Sequence, residues 1–176
     1  ADEVGGDYYD VLQQGGITKI GIGDVTGHGL ESGVLMLMVQ TAVRSLLNNQ
    51  ETNPSRFLNA INRTIYDNAR RMNCDKTMTF ALVDYQQGTL RITGQHEEIL
   101  VVRIGGRIER IDTMTLGFPL GLMEDISEFV DQILVELAPG EGIVLYTDGI
   151  TEAENQAREL YGLPRLCQVI EQNWQY

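Results

Sequence analysis

The chain of 176 residues has little cysteine: only Cys74 and Cys167, with neither CxxC spacing nor the pattern of a disulfide framework. That excludes a stapled secreted scaffold and makes a reducing cytoplasm the expected setting. Positive charge is also scarce, with 13 Lys and Arg against 25 Asp and Glu and a formal net charge of −12. A nucleic-acid binder would carry a basic footprint, and an anionic membrane surface would repel this chain, so neither is an expected partner. Long hydrophobic runs are missing as well. The longest apolar-rich stretch, Gly33 to Val39, falls far short of a membrane span. Only 4 prolines occur, none in a Pro/Ser-rich linker, and there is no internal repeat, so one domain over residues 1–176 is expected. The start on Ala-Asp-Glu-Val, without a basic n-region or signal h-region, predicts a piece excised from a longer multidomain regulator.

What is present is ordinary for a globular chain: 43% hydrophobic and 22% charged residues. A chain of this size buries about 70% of its unfolded surface and needs no staple to fold. Asp7 to Val11 and Ile17 to Ile22 read as strands around a turn at Gln14-Gly15-Gly16. Leu30, Val34, Met38, Thr41, Ala42 and Ser45 recur at helical spacing, widened by Leu35, Leu37 and Leu46. A second helix starts with Asn53 as cap and Pro54 at its first position, and carries Phe57, Ile61, Ile65, Ala69 and Met72. Short strands follow at Thr77 to Tyr85, Thr89 to Thr93, Ile99 to Ile104, Arg107 to Arg110, Glu128 to Leu137 and Gly142 to Tyr146. A helix over Leu160 to Trp174 closes the chain. Two long helices set among antiparallel strands predict an α+β layered fold rather than a βαβ repeat.

Three aspartates sit where strands give way to turns. Asp7 follows Gly5-Gly6, Asp24 ends Ile20-Gly21-Ile22-Gly23, and Asp148 follows Val144-Leu145-Tyr146-Thr147 and precedes Gly149. An acid at a strand mouth beside glycine can aim a carboxylate, with a nearby backbone carbonyl, at a hard divalent cation. Each alone is equally a turn residue, and Asp24 or Thr26 could simply cap the first helix. Gly21, Gly23 and Gly27 give GxGxxxG rather than the dinucleotide spacing, and no GxxxxGK[ST] loop occurs, which excludes the nucleotide-binding alternative.

Four segments taken together, Gly5-Gly6-Asp7-Tyr8-Tyr9-Asp10, Gly23-Asp24-Val25-Thr26-Gly27-His28-Gly29, Gly117-Phe118-Pro119-Leu120-Gly121 and Tyr146-Thr147-Asp148-Gly149-Ile150-Thr151-Glu152-Ala153, resemble the SpoIIE/RsbU branch of the PPM (type 2C) phosphatases. They occur in family order and span nearly the whole chain. The resemblance implies a β-sandwich of two antiparallel sheets flanked by α-helices, and a two-metal centre holding Mn²⁺ or Mg²⁺. It carries the metal ligands over to Asp7, Asp24 and Asp148, with the Val25 backbone carbonyl completing one site. The two ions would activate a water for in-line attack on phosphate without a covalent phosphoenzyme. Implied substrates are phosphoserine or phosphothreonine proteins, in this branch often STAS-domain regulators of a partner-switching circuit. An upstream sensor domain and a homodimer formed through the long helices are the further implied partners, with the helix after Asp24 as a switch.

The chain departs from the family pattern in three places. The family ends on a strand with an Asp-Asp pair, one of which ligates metal, and nothing after Trp174 supplies it, so the final strand and last ligand are expected to be lacking. Gly94-Gln95-His96-Glu97-Glu98 stands where Gly-His-x-Pro is common. His28 is too far from an Asp-Gly to match the type 2C general acid, and takes a structural reading. Glu152 and Glu154 are candidates for a third, weaker ion, Asp10 is expected off the site by strand parity, and Arg70, Arg71 and Lys76 are the one local basic cluster. The alternative function is a non-catalytic phosphatase-fold module that acts by partner binding.

Overall fold

Alternating apolar and polar residues on either side of Gly15-Gly16 form one long hairpin in the computed structural model, which describes residues 5–174. In chain order the elements are β1 (Asp7–Gln14), β2 (Ile17–Val25), α1 (Leu30–Asn48), α2 (Pro54–Arg71), β3 (Met78–Gln86), β4 (Thr89–Gln95), β5 (Ile99–Val102) and β6 (Ile108–Ile111). After them come β7 (Gln132–Glu136), β8 (Gly142–Val144), the single-turn α3 (Asp148–Thr151) and α4 (Leu163–Asn173). The strands make two sheets, ordered β1-β2-β3-β4-β7 and β6-β5-β8, with antiparallel pairing. This is the expected α+β class. The chain divides into two compact units: the first takes residues up to His96 together with Thr113–Val135, the second takes Glu97–Asp112 and everything from Glu136 on.

In the first unit, Gly15 and Gly16 (φ 59° and 79°) form the two-residue turn that a side chain with Cβ would resist. That turn sets Gln14 opposite Ile17, and the pairing then runs without a bulge to Asp7 opposite Asp24. Strand side chains alternate between faces. Tyr8, Val25, Met78, Phe80 and Leu82 therefore share one face, and there they join Leu35, Val39, Val43 and Leu47 of α1 and Phe57, Ile61 and Ile65 of α2 in a buried core. Burying each such aliphatic or aromatic side chain contributes about 1.5–3 kcal/mol. The start of α2 follows the sequence signal: the Asn53 side chain accepts the Arg56 N–H at 3.0 Å, with Pro54 in the first turn. α1 is 19 residues long and, by length and composition, apolar enough to cross a membrane. This corrects the reading that no stretch approaches a span, because the run continues past Val39; a third of its apolar window is buried in the unit.

The Gly117-Phe118-Pro119-Leu120-Gly121 motif acts as an added strand edge. Met78 and Leu120 exchange backbone hydrogen bonds of 2.9 and 2.8 Å. Asn62, fully buried on α2, anchors the turn after it. Its amide accepts the Gly121 N–H at 2.9 Å and donates to the carbonyls of Met123 and Glu124 at 3.0 and 3.1 Å. Unmade, those bonds would leave backbone groups unsatisfied at about 1–3 kcal/mol each.

Several strands are shorter than their sequence pattern. The run Glu128 to Leu137 opens with a 3₁₀ turn over Ser127–Phe129, because Asp125 accepts the Ser127 N–H at 2.8 Å and diverts the backbone; pairing begins only at Gln132. In the second unit β5 stops at Val102, where Arg103 turns the chain by receiving the Gly106 N–H on its carbonyl at 3.0 Å and donating its own N–H to Arg107 at 2.8 Å. The Arg103 guanidinium fixes this corner against Glu109 and Glu141 at 2.7 and 2.9 Å. β8 ends at Val144 rather than Tyr146, and α4 starts at Leu163, where Pro164 sits in the first turn. Trp174 closes this unit, its indole N–H donating to the Gly140 carbonyl at 3.0 Å.

Candidate functional site

The turn-set register places Asp7 directly across the ladder from Asp24, and Asp24 in turn is registered with Thr79 on β3. By parity all three lie on the sheet face opposite to α1 and α2. Asp7 is exposed and Asp24 half-buried. Like charges directly opposite one another destabilise a sheet, so this pairing has no structural benefit by itself. Gly6 shapes the space beside it. A Cβ on Gly6 would lie 2.4 Å from the Val25 carbonyl oxygen and 2.8 Å from Asp24 Oδ1. Only a residue without a side chain lets these two oxygens converge there. The Val25 N–H is used by the Gly6 carbonyl at 3.2 Å, which holds the two backbones together.

The loop after β2 is clamped from one side. Thr26 N–H donates to the Thr77 carbonyl at 2.9 Å, and its hydroxyl accepts the Thr77 N–H at 3.0 Å. The Lys76 ammonium donates to the Thr26 carbonyl at 2.9 Å. Ser32 donates to the Gly27 carbonyl at 3.2 Å. α1 itself begins after Gly29, with no side-chain cap. The capping reading of Asp24 and Thr26 is thereby corrected: Asp24 lies inside β2, and Thr26 is engaged with Thr77. His28 is exposed in this loop. Asp10 is off the pair, as parity predicts; it faces the helices and receives the Arg44 guanidinium at 2.8 and 3.1 Å.

Asp148 belongs to the second unit and is described there by itself. It is the first residue of α3 rather than the end of a strand, and its carbonyl accepts the Glu152 N–H at 2.7 Å. Its surroundings are acidic. Burial, and then the charges of Asp148, Glu152 and Glu98, hold the Glu97 carboxyl above its ordinary range. Tyr146 is buried nearby, and burial followed by Glu97 and Glu98 pushes its phenol up to about 12. Glu154 is exposed, in a bridge to Leu160.

Among the described residues, no group of three or more His, Cys, Asp or Glu side chains is gathered for a metal ion. The donor set in the first unit is two carboxylates and one backbone carbonyl, with Gly6 leaving clear the space beside the Val25 carbonyl and Asp24 Oδ1. Hard oxygen donors that leave positions for water are the chemistry of Mg²⁺ and Mn²⁺, so the residues present fit that class of ion.

Sequence reasoning missed three residues at this end of the sheet. Thr79 shares the aspartates' face, and its hydroxyl lies 2.8 Å from His96 Nδ1. His96 is buried, and its main-chain N–H and carbonyl are both engaged by the Thr113 hydroxyl. Lys76, read only as one of a basic cluster, holds the loop after Asp24, while Arg70 of that cluster bonds Tyr66 at 2.6 Å instead. Alternation along β3 is the one signal that could have put Thr79 on this face.

The fold is that of a type 2C phosphatase domain: the SiaA-PP2C domain of Pseudomonas aeruginosa superposes with a TM-score of 0.77 at 21% identity, over 98% of this chain and 68% of that one. The chain belongs to the Stage II sporulation protein E (SpoIIE) family, whose model matches residues 14–175, and is a PPM phosphatase domain of the SpoIIE/RsbU type. It is 28% identical over 164 residues to the phosphoserine phosphatase RsbU of Bacillus subtilis, covering 89% of this chain and 45% of that protein. It is 26% identical over 203 residues to protein IcfG of Synechocystis sp., covering 99% of this chain and 31% of that protein. The chain thus spans less than half the length of these curated relatives.

Proposed function

We propose that this domain hydrolyses phosphoserine or phosphothreonine in a protein substrate: water enters, and the serine or threonine hydroxyl and phosphate leave. The observation that carries the reading is the Asp7–Asp24 pair, directly opposed across the β1–β2 ladder beside the bare Gly6, in a chain of the SpoIIE family. Asp7, Asp24 and the Val25 carbonyl would hold Mn²⁺ or Mg²⁺, and Asp148 is assigned as a further ligand on its Thr147-Asp148-Gly149 pattern. Two such ions, when bound, acidify a water and neutralise phosphoryl charge. The chain's own contribution is to fix the carboxylates. The turn at Gly15-Gly16 sets their register, and Lys76 and Thr77 hold the loop that follows Asp24.

The substrate is proposed to be a small STAS-type regulator in a partner-switching pathway in the cytoplasm, with a sensor domain elsewhere in the full protein. This rests on the family and on the similarity to RsbU. A homodimer through α1 is supported by the exposed Leu30 and Leu37 on its outer side. The test is Mn²⁺-dependent hydrolysis of a phosphoserine peptide. Asp7→Asn, Asp24→Asn and Asp148→Asn should each lower the rate on the order of 100-fold, with the fold retained by circular dichroism. Equal rates in the unchanged chain and Asp24→Asn would overturn the assignment and leave the partner-binding module as the function.

A further inference from the structure

The helix-facing side of the first unit holds a cavity of about 320 Å³ that the proposed phosphatase chemistry does not use. That volume lies at the lower end of the range of small-molecule sites, roughly 300–1,000 Å³. It opens at the hairpin end of β1 and β2, beneath the connection from α1 to α2. From the Asp7–Asp24 pair it is about 23 Å away along the strands, at roughly 3.3 Å per residue, and on the other face.

Its lining combines two chemistries. Leu12, Ile17 and Leu47 make an apolar wall. Lys19 and Arg91 supply cations, and both are committed to one carboxylate, Asp84, which is only 7% exposed. The three charges lie in one line across the sheet, since Lys19 is registered with Asp84 and Asp84 with Arg91. The Lys19 ammonium also lies over the Phe57 ring, 5.4 Å from its centroid. The Lys19 side chain is 12% and the Arg91 side chain 32% exposed. With Asp84 and Glu51, the cavity and its surroundings hold two charges of each sign, so what the cations offer a ligand is hydrogen-bond donors rather than an unmet charge. Glu51, the acidic residue of the lining, has Oε1 engaged by the Asn53 N–H at 2.8 Å. Lys19 and Arg91 each retain N–H donors beyond those that bond Asp84.

We propose that this cavity binds a small amphiphilic carboxylate, an acid whose carboxylate meets Lys19 and Arg91 while its hydrocarbon body lies on Leu12, Ile17 and Leu47. Inorganic phosphate would satisfy the cations but not the apolar wall, and a neutral alcohol would do the reverse.

The experiment is a binding titration of the full 176-residue chain with octanoate, octanol and inorganic phosphate, followed by ligand-observed NMR and calorimetry. Octanoate should saturate one site below about 1 mM, and octanol and phosphate should each bind at least tenfold more weakly. Arg91→Gln should weaken octanoate about tenfold, the loss of one charge-assisted hydrogen bond. Thr52→Trp, an exposed lining position that leaves the Asp84 network untouched, should abolish binding by filling the mouth, so the test stands even if Arg91→Gln fails to fold. Octanol or phosphate binding as tightly as octanoate would overturn the proposal. So would an octanoate affinity unchanged by Thr52→Trp, or no saturation.

Discussion

The two ends of the β1–β2 hairpin treat aspartate in opposite ways. At the closed end, Asp84 on the neighbouring β3 is buried on the helix-facing side and met by Lys19 and Arg91 at once. At the open end, Asp7 and Asp24 stand directly opposite one another on the other face, with an exposed edge and a glycine beside them. Asp84 is a charge the fold has surrounded, and removing it would strand two cations in the protein. Asp7 and Asp24 are like charges that the turn sets opposite one another, beside a bare backbone position. Under the proposed function, two carboxylates held opposite one another are what an ion would use.

The strongest way to break this comparison is Asp84→Asn. With Lys19 and Arg91 left beside a neutral amide, urea unfolding should show a loss of about 3–5 kcal/mol. A loss below about 1 kcal/mol, the value of a surface pair, would mean that Asp84 is no more structural than an exposed ion pair. Gly6→Ala is the matching perturbation at the open end. Its Cβ would meet the Val25 carbonyl at 2.4 Å, so stability should fall by about 1–3 kcal/mol as that backbone shifts. Mn²⁺-dependent phosphatase activity should fall with it, more than tenfold, and unchanged activity would remove Gly6 from the site.

The smallest effect, absent at neutral pH, carries the comparison into the second unit. Burial holds the Tyr146 phenol neutral, with a value of about 12 against the ordinary 10. A group raised in the folded state gives stability that is fully present below the unfolded value. That stability is therefore intact up to about pH 10 and lost as the pH rises from there to about 12. Absorbance titration should show two late phenols among the 7 tyrosines, Tyr8 and Tyr146, both held up by burial, and Tyr146→Phe should remove one of them and reduce the alkaline loss of stability. A titration in which all the phenols ionise together near 10 would count against the buried environment.

Much of this was legible beforehand. Asn53-Pro54 announced α2, but the stripe read for α1 (Leu30, Val34, Met38, Thr41, Ala42 and Ser45) misses its core face, which is Leu35, Val39, Val43 and Leu47. The helix is apolar on several sides, so spacing alone did not single out the buried one. Gly15-Gly16 was visible as a turn, and a two-residue turn fixes the register of a hairpin. The Asp7–Asp24 pairing was therefore implicit once both strands were run to their full length. Ending those strands at Val11 and Ile22 hid it. Local competition explains other misses. Asp125 captured a backbone N–H and delayed β7, and the Arg103 corner shortened β5.

By itself, then, the sequence determined the class of fold, the family pattern and the acidic positions at strand ends. Each is written in local order: periodicity, turn residues and short motifs. Only the tertiary structure decided that Gly6 must be bare, that Thr79 joins the aspartates' face, and that Lys19, Asp84 and Arg91 meet over a cavity. Those relations join residues as many as 72 positions apart, as Lys19 and Arg91 are, and exist only once three strands have paired in one register. The open end of the hairpin was foreseeable from its turn. The closed end had to be seen folded, because charge compensation across a sheet depends on which strands become neighbours.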